Sequence, residues 1–318
     1  MDEFELIDRY FSRPSADEAV ALGVGDDGAV LTPATGCQLV SVVDTLVEAV
    51  HFPRSLDPGD VGFRAVAVNV SDIAAMGAEP RWMLLSLTLA DAEAAWIAGF
   101  ADGLFEAAEQ FSISLVGGDT TSGEQRVIGI HLLGEVREGQ AITRSGAVAG
   151  DDIWVSGTLG DAAAGLRLGD SRRFDDDKDF LLRRFRRPEP RLALARRLSG
   201  TASAAIDVSD GLYADLAKLL QSSGVGARLE LDAIPHSSAL CAAFPDTAQE
   251  LSLAGGDDYE LCFTASARLR DRVGDIAVDA GTPVTRIGAV TDEMGVVCRS
   301  QDRLVPYEDP GFRHFGGR

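Results

Sequence analysis

The segment that most restricts the fold is a run of small and apolar residues at positions 66–80, VAVNVSDIAAMGAEP. This composition predicts a closely packed, buried helix that ends at Gly77 and Pro80. Asn69 and Asp72 interrupt the run three residues apart, so both side chains share one face of the predicted helix. A buried carboxylate is costly unless a cation or several hydrogen-bond donors meet it. Asp72 is therefore either a structural residue bonded to nearby backbone or a metal ligand.

Two further segments combine a predicted strand with an aspartate. The β-branched run at positions 39–45, LVSVVDT, stops at Asp44, and the run at positions 113–121, ISLVGGDTT, places glycines before Asp119. Buried strands of this kind deliver side chains to the sheet edge at which ligands bind. We therefore predict that both aspartates lie at strand ends.

Three loops contribute more acids. Positions 23–28, GVGDDG, and 255–260, GGDDYE, each pair glycines with adjacent aspartates, and either loop taken alone is equally well a solvated turn. At positions 204–211, AAIDVSDG, a strand precedes a helix that Ser209 or Asp210 is predicted to cap, which leaves Asp207 unexplained. The whole set favours oxygen ligation of Mg²⁺ or Mn²⁺ over zinc. Its members are Asp27, Asp44, Asp72, Asp119, Asp207 and Asp210.

Alternating strands and helices predict an α/β (α+β) protein with two domains. The small residues at 146–150 place the boundary so that 1–146 form an N-terminal domain and 147–318 a C-terminal domain. The acidic residues 175–177 are predicted to form a solvated loop. Helices are predicted at 4–11, 92–110, 161–168, 180–198 and 212–221, and further strands at 82–89, 127–135, 152–156 and 261–265.

Charge and composition exclude several classes of function. The net charge of −21 repels phosphate backbones, so nucleic acid is not expected as a partner. Only Lys178 and Lys218 are lysines and neither follows a glycine-rich phosphate loop, so divalent metal must supply most of the positive charge if nucleotides bind. No apolar run approaches the ~20 residues of a membrane span. The acidic start and four scattered cysteines predict a reduced, cytoplasmic protein.

The motifs in this order resemble the thiamine-monophosphate kinases. That family belongs to the superfamily that includes aminoimidazole ribonucleotide synthetase and selenophosphate synthetase. The resemblance covers almost the whole chain and rests on long motifs with matching order and spacing. They are FELI, GVGDDGAV, VDTLVEAVHF, AVNVSDIAAMGAEP, VGGDTT, TRSGA, IDVSDG, GGDDYELCF and the pair Gly311-Phe312.

The resemblance implies a kinase of thiamine diphosphate biosynthesis. It implies an N-terminal ATP- and metal-binding domain whose mixed sheet, with helices, pairs across a homodimer, and a C-terminal α/β sandwich. ATP in the cleft between the domains would pass its γ-phosphoryl group directly to thiamine monophosphate. The six aspartates above match the magnesium ligands. Further matches are Gly118, Asp119, Arg144 and Ser209 for ATP, His51, Asp257 and Phe312 for substrate, and Asp27, Asp44, Asp72, Asp119 and Arg144 for catalysis.

The chain departs from the family pattern at four positions. Val42 and Val43 replace the usual Ser-Thr, so Val43 could bind metal only through its backbone carbonyl. Asp257 stands where Glu is common and is one methylene shorter. Phe312 keeps an aromatic face without a hydroxyl. Each departure concerns a single contact.

The chemistry is consistent with this resemblance. The acceptor is a phosphate monoester with a second pKa of about 6, so it is ionised at neutral pH and needs no general base. The barrier is charge repulsion, which several Mg²⁺ ions and Arg144 would relieve, with Asp72 predicted to bridge metals. His51 is then a substrate contact or a packed histidine. The alternatives are a sibling ATP-dependent synthetase acting on another oxygen nucleophile, and a non-catalytic metal- or nucleotide-binding protein.

Overall fold

The chain folds into two units of mixed α/β structure. The computed structural model describes residues 3–13, 17–169, 176–301 and 303–308. One unit comprises Met1–Ile73 and Ala78–Gly139, and the other comprises Ala74–Gly77 and Gln140–Arg318. The predicted α/β architecture with two domains is confirmed. The units change at residue 140, and the predicted boundary at residue 146 stays a prediction.

The first unit contains a four-stranded sheet and a separate two-stranded sheet. In the larger sheet the strand order is β3-β6-β4-β5, with only the β4–β5 pair parallel. The strands and helices are α1 (Glu3–Tyr10), β1 (Val20–Leu22), β2 (Val30–Leu31), β3 (Cys37–Val47), α2 (Pro58–Ala75), β4 (Glu79–Leu89), α3 (Ala94–Gln110), β5 (Ser114–Ser122) and β6 (Val127–Arg137).

Helix α2 contains most of the apolar run at positions 66–80. It starts at Pro58, eight residues earlier than the apolar run, and ends before Gly77, whose φ of 68° is left-handed. Its residues from Val61 to Val70 are almost all buried. A Cβ atom at Gly62 would collide with the backbone of Phe100 in α3, so only glycine permits this close helix packing. The predicted buried helix is therefore confirmed, with a longer N-terminal part.

The second unit is built on a seven-stranded sheet of order β13-β12-β9-β11-β7-β10-β8. Within the described residues, no helix is long and apolar enough to cross a membrane. The strands and helices are β7 (Asp151–Ser156), α4 (Asp161–Leu168), α5 (Asp176–Arg186), α6 (Leu192–Leu198), β8 (Ala204–Val208), α7 (Leu212–Ser223), β9 (Gly226–Glu230), α8 (Ser238–Ala243), α9 (Ala248–Ala254), β10 (Glu260–Ser266), α10 (Arg270–Ala280), β11 (Val284–Thr291), β12 (Gly295–Ser300) and β13 (Arg303–Val305), with 3₁₀ turns at Leu231–Ala233 and Ala267–Leu269.

Both faces of this sheet are covered. Ile206 and Val208 of β8 pack with the apolar face of α7, whereas Ala205 packs on the other side with α6 and α10. Successive residues of a strand point to opposite faces, so a strand covered on both sides is apolar throughout. This arrangement confirms the predicted C-terminal α/β sandwich.

Two predicted elements were wrong. The helix predicted at 180–198 is two helices, α5 and α6, because Pro188 and Pro190 lie between them and cannot continue a helix. The acidic residues 175–177 were predicted to be a loop, but Asp176 and Asp177 form the first turn of α5, where carboxylates favour the positive end of the helix dipole. Asp175 lies outside the described residues.

Candidate functional site

In the first unit, an asparagine connects the strand that carries Asp44 to the helix that carries Asp72. Asn69 is fully buried on α2, and its side-chain oxygen accepts a hydrogen bond of 2.9 Å from the backbone N–H of Asp44 on β3. Its amide nitrogen donates to the carbonyl of Ala65, which fixes the orientation of the side chain. Asp72 follows Asn69 by three residues and so lies on the same helix face. Asn69 thus connects α2 to the strand that carries Asp44, on the helix face that it shares with Asp72.

Asp44 and Asp119 lie inside strands rather than at strand ends, so that prediction was wrong. β3 continues past Asp44 to Val47, and β5 continues past Asp119 to Ser122, because both remain paired with neighbouring strands. Gly118 is required by the sheet itself, since a Cβ atom there would collide with the Leu85 carbonyl oxygen. Its predicted contact with nucleotide stays a prediction.

The two aspartates lie at opposite edges of the sheet. β3 and β5 are the outer strands, with β6 and β4 between them. Asp44 is in register with Ile130 and Leu85, which are buried, whereas Asp119 is in register with the exposed Ser86. Residues in register share a face and successive residues alternate. Asp44 therefore faces the helices, and Asp119 faces the other side.

His51 lies in a tight turn directly after β3. Val47 donates its backbone N–H to His51 Nδ1 at 2.9 Å, so Nδ1 is the acceptor and the neutral ring carries its proton on Nε2. Ala49 has a left-handed φ of 62°, which is unfavourable for alanine and is held by a hydrogen bond to the Phe52 carbonyl. The buried Glu48 pairs with Arg126 at 2.9 Å and anchors the turn. The ring is thus presented as a hydrogen-bond donor.

Asp27 and Val43 occupy exposed positions. Asp27 lies in the loop after Gly25, and its backbone N–H donates to the Asp26 carboxylate at 2.8 Å. The side chain of Val43 is 65% exposed and points to the face of β3 opposite Asp44. Metal contact by either residue stays a prediction.

In the second unit, Asp207 and Asp210 flank the end of β8. Asp207 is buried within the strand. Neither Ser209 nor Asp210 caps α7, so that prediction was wrong: the cap position is Gly211, which has a φ of 112° and no side chain. Instead the buried Asp215 accepts the backbone N–H groups of Ser209 and Asp210, both at 2.9 Å. A carboxylate inside the first turn thus replaces the expected cap.

Lys218 neutralises part of this loop. Its ammonium lies 2.5 Å from Asp210 and 2.8 Å from Asp215. Burial raises the pKa of Asp215. The Lys218 ammonium lowers this pKa in part, but the pKa remains above its ordinary value. The same two carboxylates hold the pKa of Lys218 above its ordinary value, although burial opposes them. Asp210 therefore already has a cation as its partner.

Arg144 lies in an exposed loop whose backbone is firmly held. The N–H of Ala205 in β8 donates to the Thr143 carbonyl at 3.0 Å. Gly146 has a φ of 130°, and a Cβ atom there would collide with the Ser203 carbonyl oxygen. The loop around Arg144 is therefore fixed against β8 while the side chain remains exposed.

The loop that carries Asp257 covers a buried network that the sequence analysis missed. Asp257 and Tyr259 both have left-handed φ values, 64° and 51°, and the Tyr259 hydroxyl donates to Asp257 at 3.2 Å. Between them, the buried Asp258 accepts the backbone N–H of Gly160 at the start of α4. Two strained residues around one buried acid mark this loop as a functional candidate. Only the doubled Asp in the sequence could have suggested it.

Glu260 completes this network. It is fully buried, and it accepts hydrogen bonds from Arg184 at 2.8 Å, Arg191 at 2.5 Å and Ser156 at 2.5 Å. Burial alone would raise the pKa of Glu260, but the hydrogen bonds and charges of the arginines outweigh it and lower the pKa. The sequence gives no signal for this pairing, because the partners are about 70 residues away along the chain. Phe312, the remaining predicted substrate contact, lies outside the described residues.

The oxygen donors of the first unit fit a magnesium ion in kind. Asp44 and Asp72 carry hard carboxylate oxygens, and Mg²⁺ is usually held by one or two carboxylates with water and phosphate oxygens. Among the described residues, no three His, Cys, Asp or Glu side chains form a ready cluster for a metal. The complete set of six ligands stays a prediction.

Two family models together match most of the chain. The model of the AIR synthase related protein N-terminal domain matches residues 25–136, and that of the C-terminal domain matches residues 148–299. The chain belongs to the AIR synthase related family.

Comparison with individual relatives identifies a smaller group within the AIR synthase related family. The thiamine-monophosphate kinase of Escherichia coli strain K12 is 42% identical over 320 residues, covering 98% of both chains. The crystal structure of thiamine-monophosphate kinase from Stenotrophomonas maltophilia K279a has a TM-score of 0.87 and 45% identity, over 95% of this chain and 98% of that one. AaThiL complexed with AMPPCP and TMP has a TM-score of 0.80 and 34% identity, over 89% of each chain. Within the family, the chain is thus a member of the thiamine-monophosphate kinases, which confirms the resemblance found in the sequence.

Proposed function

We propose that this protein transfers the γ-phosphoryl group of ATP to thiamine monophosphate and forms thiamine diphosphate. The observation that carries the proposal is near full-length similarity to thiamine-monophosphate kinases, together with a structure that resembles AaThiL complexed with AMPPCP and TMP. The predicted enzyme class, a kinase with a phosphate group as acceptor, agrees with the names of these relatives. We also infer a cytoplasmic location, because the cysteines in the described residues are free thiols.

The residues of this chain act by positioning and by charge. An ionised acceptor phosphate can attack without a general base, so no residue needs to remove a proton. His51 donates from Nε2 and is suited to a phosphate or other acceptor on the substrate, because its Nδ1 is occupied by Val47. Arg144 projects from a fixed loop and can pair with the nucleotide. Asp257 and Phe312 are proposed to contact the thiamine part, Phe312 through its aromatic face.

Magnesium would be held by the carboxylates and would supply charge neutralisation between two polyanions. Asp44 and Asp72 are the strongest candidates, because Asn69 holds their two elements together. We propose Asp27, Asp119, Asp207 and Asp210 as further ligands, with the backbone carbonyl of Val43, and we infer that more than one ion binds. Six carboxylates exceed what one octahedral ion that also binds phosphate can accept.

We infer that the active protein is a homodimer that shares its site between two copies. Three interstrand steps separate Asp44 from Asp119, about 14 Å, and the two side chains point to opposite faces. Carboxylate oxygens on one Mg²⁺ must lie within about 4 Å of each other. If both bind the same nucleotide-metal complex, they must come from different copies. The outer face of β3 supports such pairing, since Leu39 and Val43 are 49% and 65% exposed.

Activity is tested by incubating the protein with ATP, Mg²⁺ and thiamine monophosphate and measuring both ADP and thiamine diphosphate. We expect the two products in equal amounts. Thiamine without its phosphate is the matched control and should give neither product. ADP formation that does not depend on thiamine monophosphate would contradict the proposed acceptor. Nucleotide binding without any transfer would instead support a non-catalytic protein.

A further inference from the structure

The exposed loop that carries Arg144 is attached to the end of α7 by one serine. The Ser223 hydroxyl donates to the Arg144 carbonyl oxygen at 3.0 Å. The hydroxyl oxygen of Ser223 also accepts the backbone N–H groups of Gly146 and Ala147, both at 3.2 Å. A serine hydroxyl offers one donor and two acceptor positions, so all three positions of Ser223 are used on one loop.

No other side chain makes comparable contacts with this loop in the described part of the second unit. The Thr143 hydroxyl is hydrogen-bonded to Ser145, two residues along, and so stiffens the loop without attaching it to the rest of the fold. The remaining attachment is a backbone hydrogen bond from Ala205 to the Thr143 carbonyl. Ser223 is therefore the side-chain connection between the Arg144 backbone and the core helix.

The other end of α7 holds the second segment proposed to contact nucleotide. Asp215, in the first turn, accepts the N–H groups of Ser209 and Asp210. With 12 residues, α7 is about 18 Å long, so it sets a fixed separation between this segment and the Arg144 loop. The apolar face of α7 is packed in the core and keeps the helix from shifting.

We propose that Ser223 is a positioning residue for nucleotide binding, which acts by holding the Arg144 loop at the C-terminal end of α7. The inference rests on the proposed function in one respect, the contact of Arg144 with ATP. Loss of the hydroxyl leaves the loop attached at one end, and the guanidinium then samples a wider range of positions. Nucleotide binding weakens because ordering the loop becomes part of its cost.

The test is the Kd of ATP, measured by calorimetry with Mg²⁺ in excess, for Ser223→Ala. We expect the Kd to rise about fivefold to tenfold, the loss expected when about one hydrogen bond's net contribution disappears. The KM for thiamine monophosphate should stay unchanged. Ser223→Thr keeps a hydroxyl and should bind nearly as the wild type does, and Ser222→Ala on the exposed neighbour is the matched control. A Kd unchanged in Ser223→Ala would overturn the proposal.

A double-mutant cycle separates positioning from a general structural effect. Ser223→Ala should weaken ATP binding in the wild type but have little further effect in Arg144→Ala. Equal effects in both backgrounds would assign Ser223 a structural role only.

If Ser223→Ala does not fold, Thr143→Val loosens the same loop and should show the same dependence on Arg144. An Arg144→Ala protein that binds ATP normally would overturn this inference and leave the transfer activity standing. A protein that binds ATP with the expected coupling but does not phosphorylate thiamine monophosphate would fail only the proposed function.

Discussion

Glu260 in the second unit and the aspartates Asp44 and Asp72 in the first unit have different surroundings. In the second unit, the buried Glu260 contacts Arg184 and Arg191, and the buried Asp152 contacts Arg270 and Arg286, as the buried Glu48 of the first unit contacts Arg126. In the first unit, the backbone N–H of Asp44 donates to a neutral amide, Asn69, which lies three residues before Asp72 on α2. A buried carboxylate that pairs with arginine contributes to the scaffold, and we predict that Asp44 and Asp72 instead bind an external cation. The comparison predicts which acids matter for activity and which for stability.

The largest expected effect is at Asp72. Asp72→Asn removes a proposed metal ligand and should lower kcat by about 10³-fold or more, since charge stabilisation at a phosphoryl group is worth several kcal/mol. Asp210→Asn should retain more activity, because Lys218 already compensates the Asp210 carboxylate and the pair is partly exposed. Steady-state kinetics across a range of Mg²⁺ concentrations measures both. A largely active Asp72→Asn enzyme that saturates at one Mg²⁺ per ATP would contradict a site with several metals.

Mixing two inactive variants tests whether the first unit shares its site between copies. Asp44→Asn and Asp119→Asn should each abolish turnover. After co-refolding in equal amounts, about one quarter of the wild-type activity should return, because half the dimers are mixed and each has one intact site. If both residues act from the same chain, every site keeps one mutation and no activity returns. Mixing each variant with itself is the control.

Glu260 tests the scaffold role of acids in the second unit. Glu260→Gln leaves two buried arginine contacts without their charge partner and should lower the free energy of unfolding by about 3–5 kcal/mol. Asp258→Asn should cost about 1 kcal/mol, since burial raises the pKa of Asp258 well above its ordinary value and favours the neutral form. Urea denaturation measures both. Glu189→Gln, at an exposed position near the same arginines, is the control. Equal losses of unfolding free energy in Glu260→Gln and Glu189→Gln would contradict the scaffold role of Glu260.

The smallest expected effect is a difference in pH dependence between the same two acids. The folded pKa of Glu260 lies below its ordinary value of 4.5, so its contribution to stability is present above pH 4.5 and is lost as the pH falls through the folded pKa. The pKa of Asp258 is raised, so its contribution is present below its ordinary value of 3.8 and is lost as the pH rises through the folded pKa. The difference in unfolding free energy between the wild type and each variant is measured across this pH range. The differences for Glu260→Gln and for Asp258→Asn should change with pH in opposite directions. Parallel slopes would contradict the assignment.

Local patterns predicted much of this architecture. The buried helix at α2, the helix at Asp161–Leu168 and the apolar strands of the second unit agree with the structure, because each depends on side-chain period and on nearby glycines. Strand ends were predicted poorly. Asp44 and Asp119 interrupt apolar runs, a pattern that predicts strand ends, but pairing with β6 and β4 extends both strands. The cap of α7 was missed for a similar reason, since Asp215 lies within the helix and not before it.

The sequence by itself determined the family, the two α/β domains and the set of acidic residues, because these depend on the order and spacing of residues along the chain. Only the tertiary structure decided which partner each acid has. Glu260 meets arginines from α5 and the start of α6, Asp44 meets an asparagine on α2, and Ser223 meets a loop about 80 residues earlier. Such pairs form when packed elements bring distant residues within hydrogen-bonding distance, and their energies depend on that distance and on burial. The order of residues along the chain gives neither the distance between two side chains nor their burial.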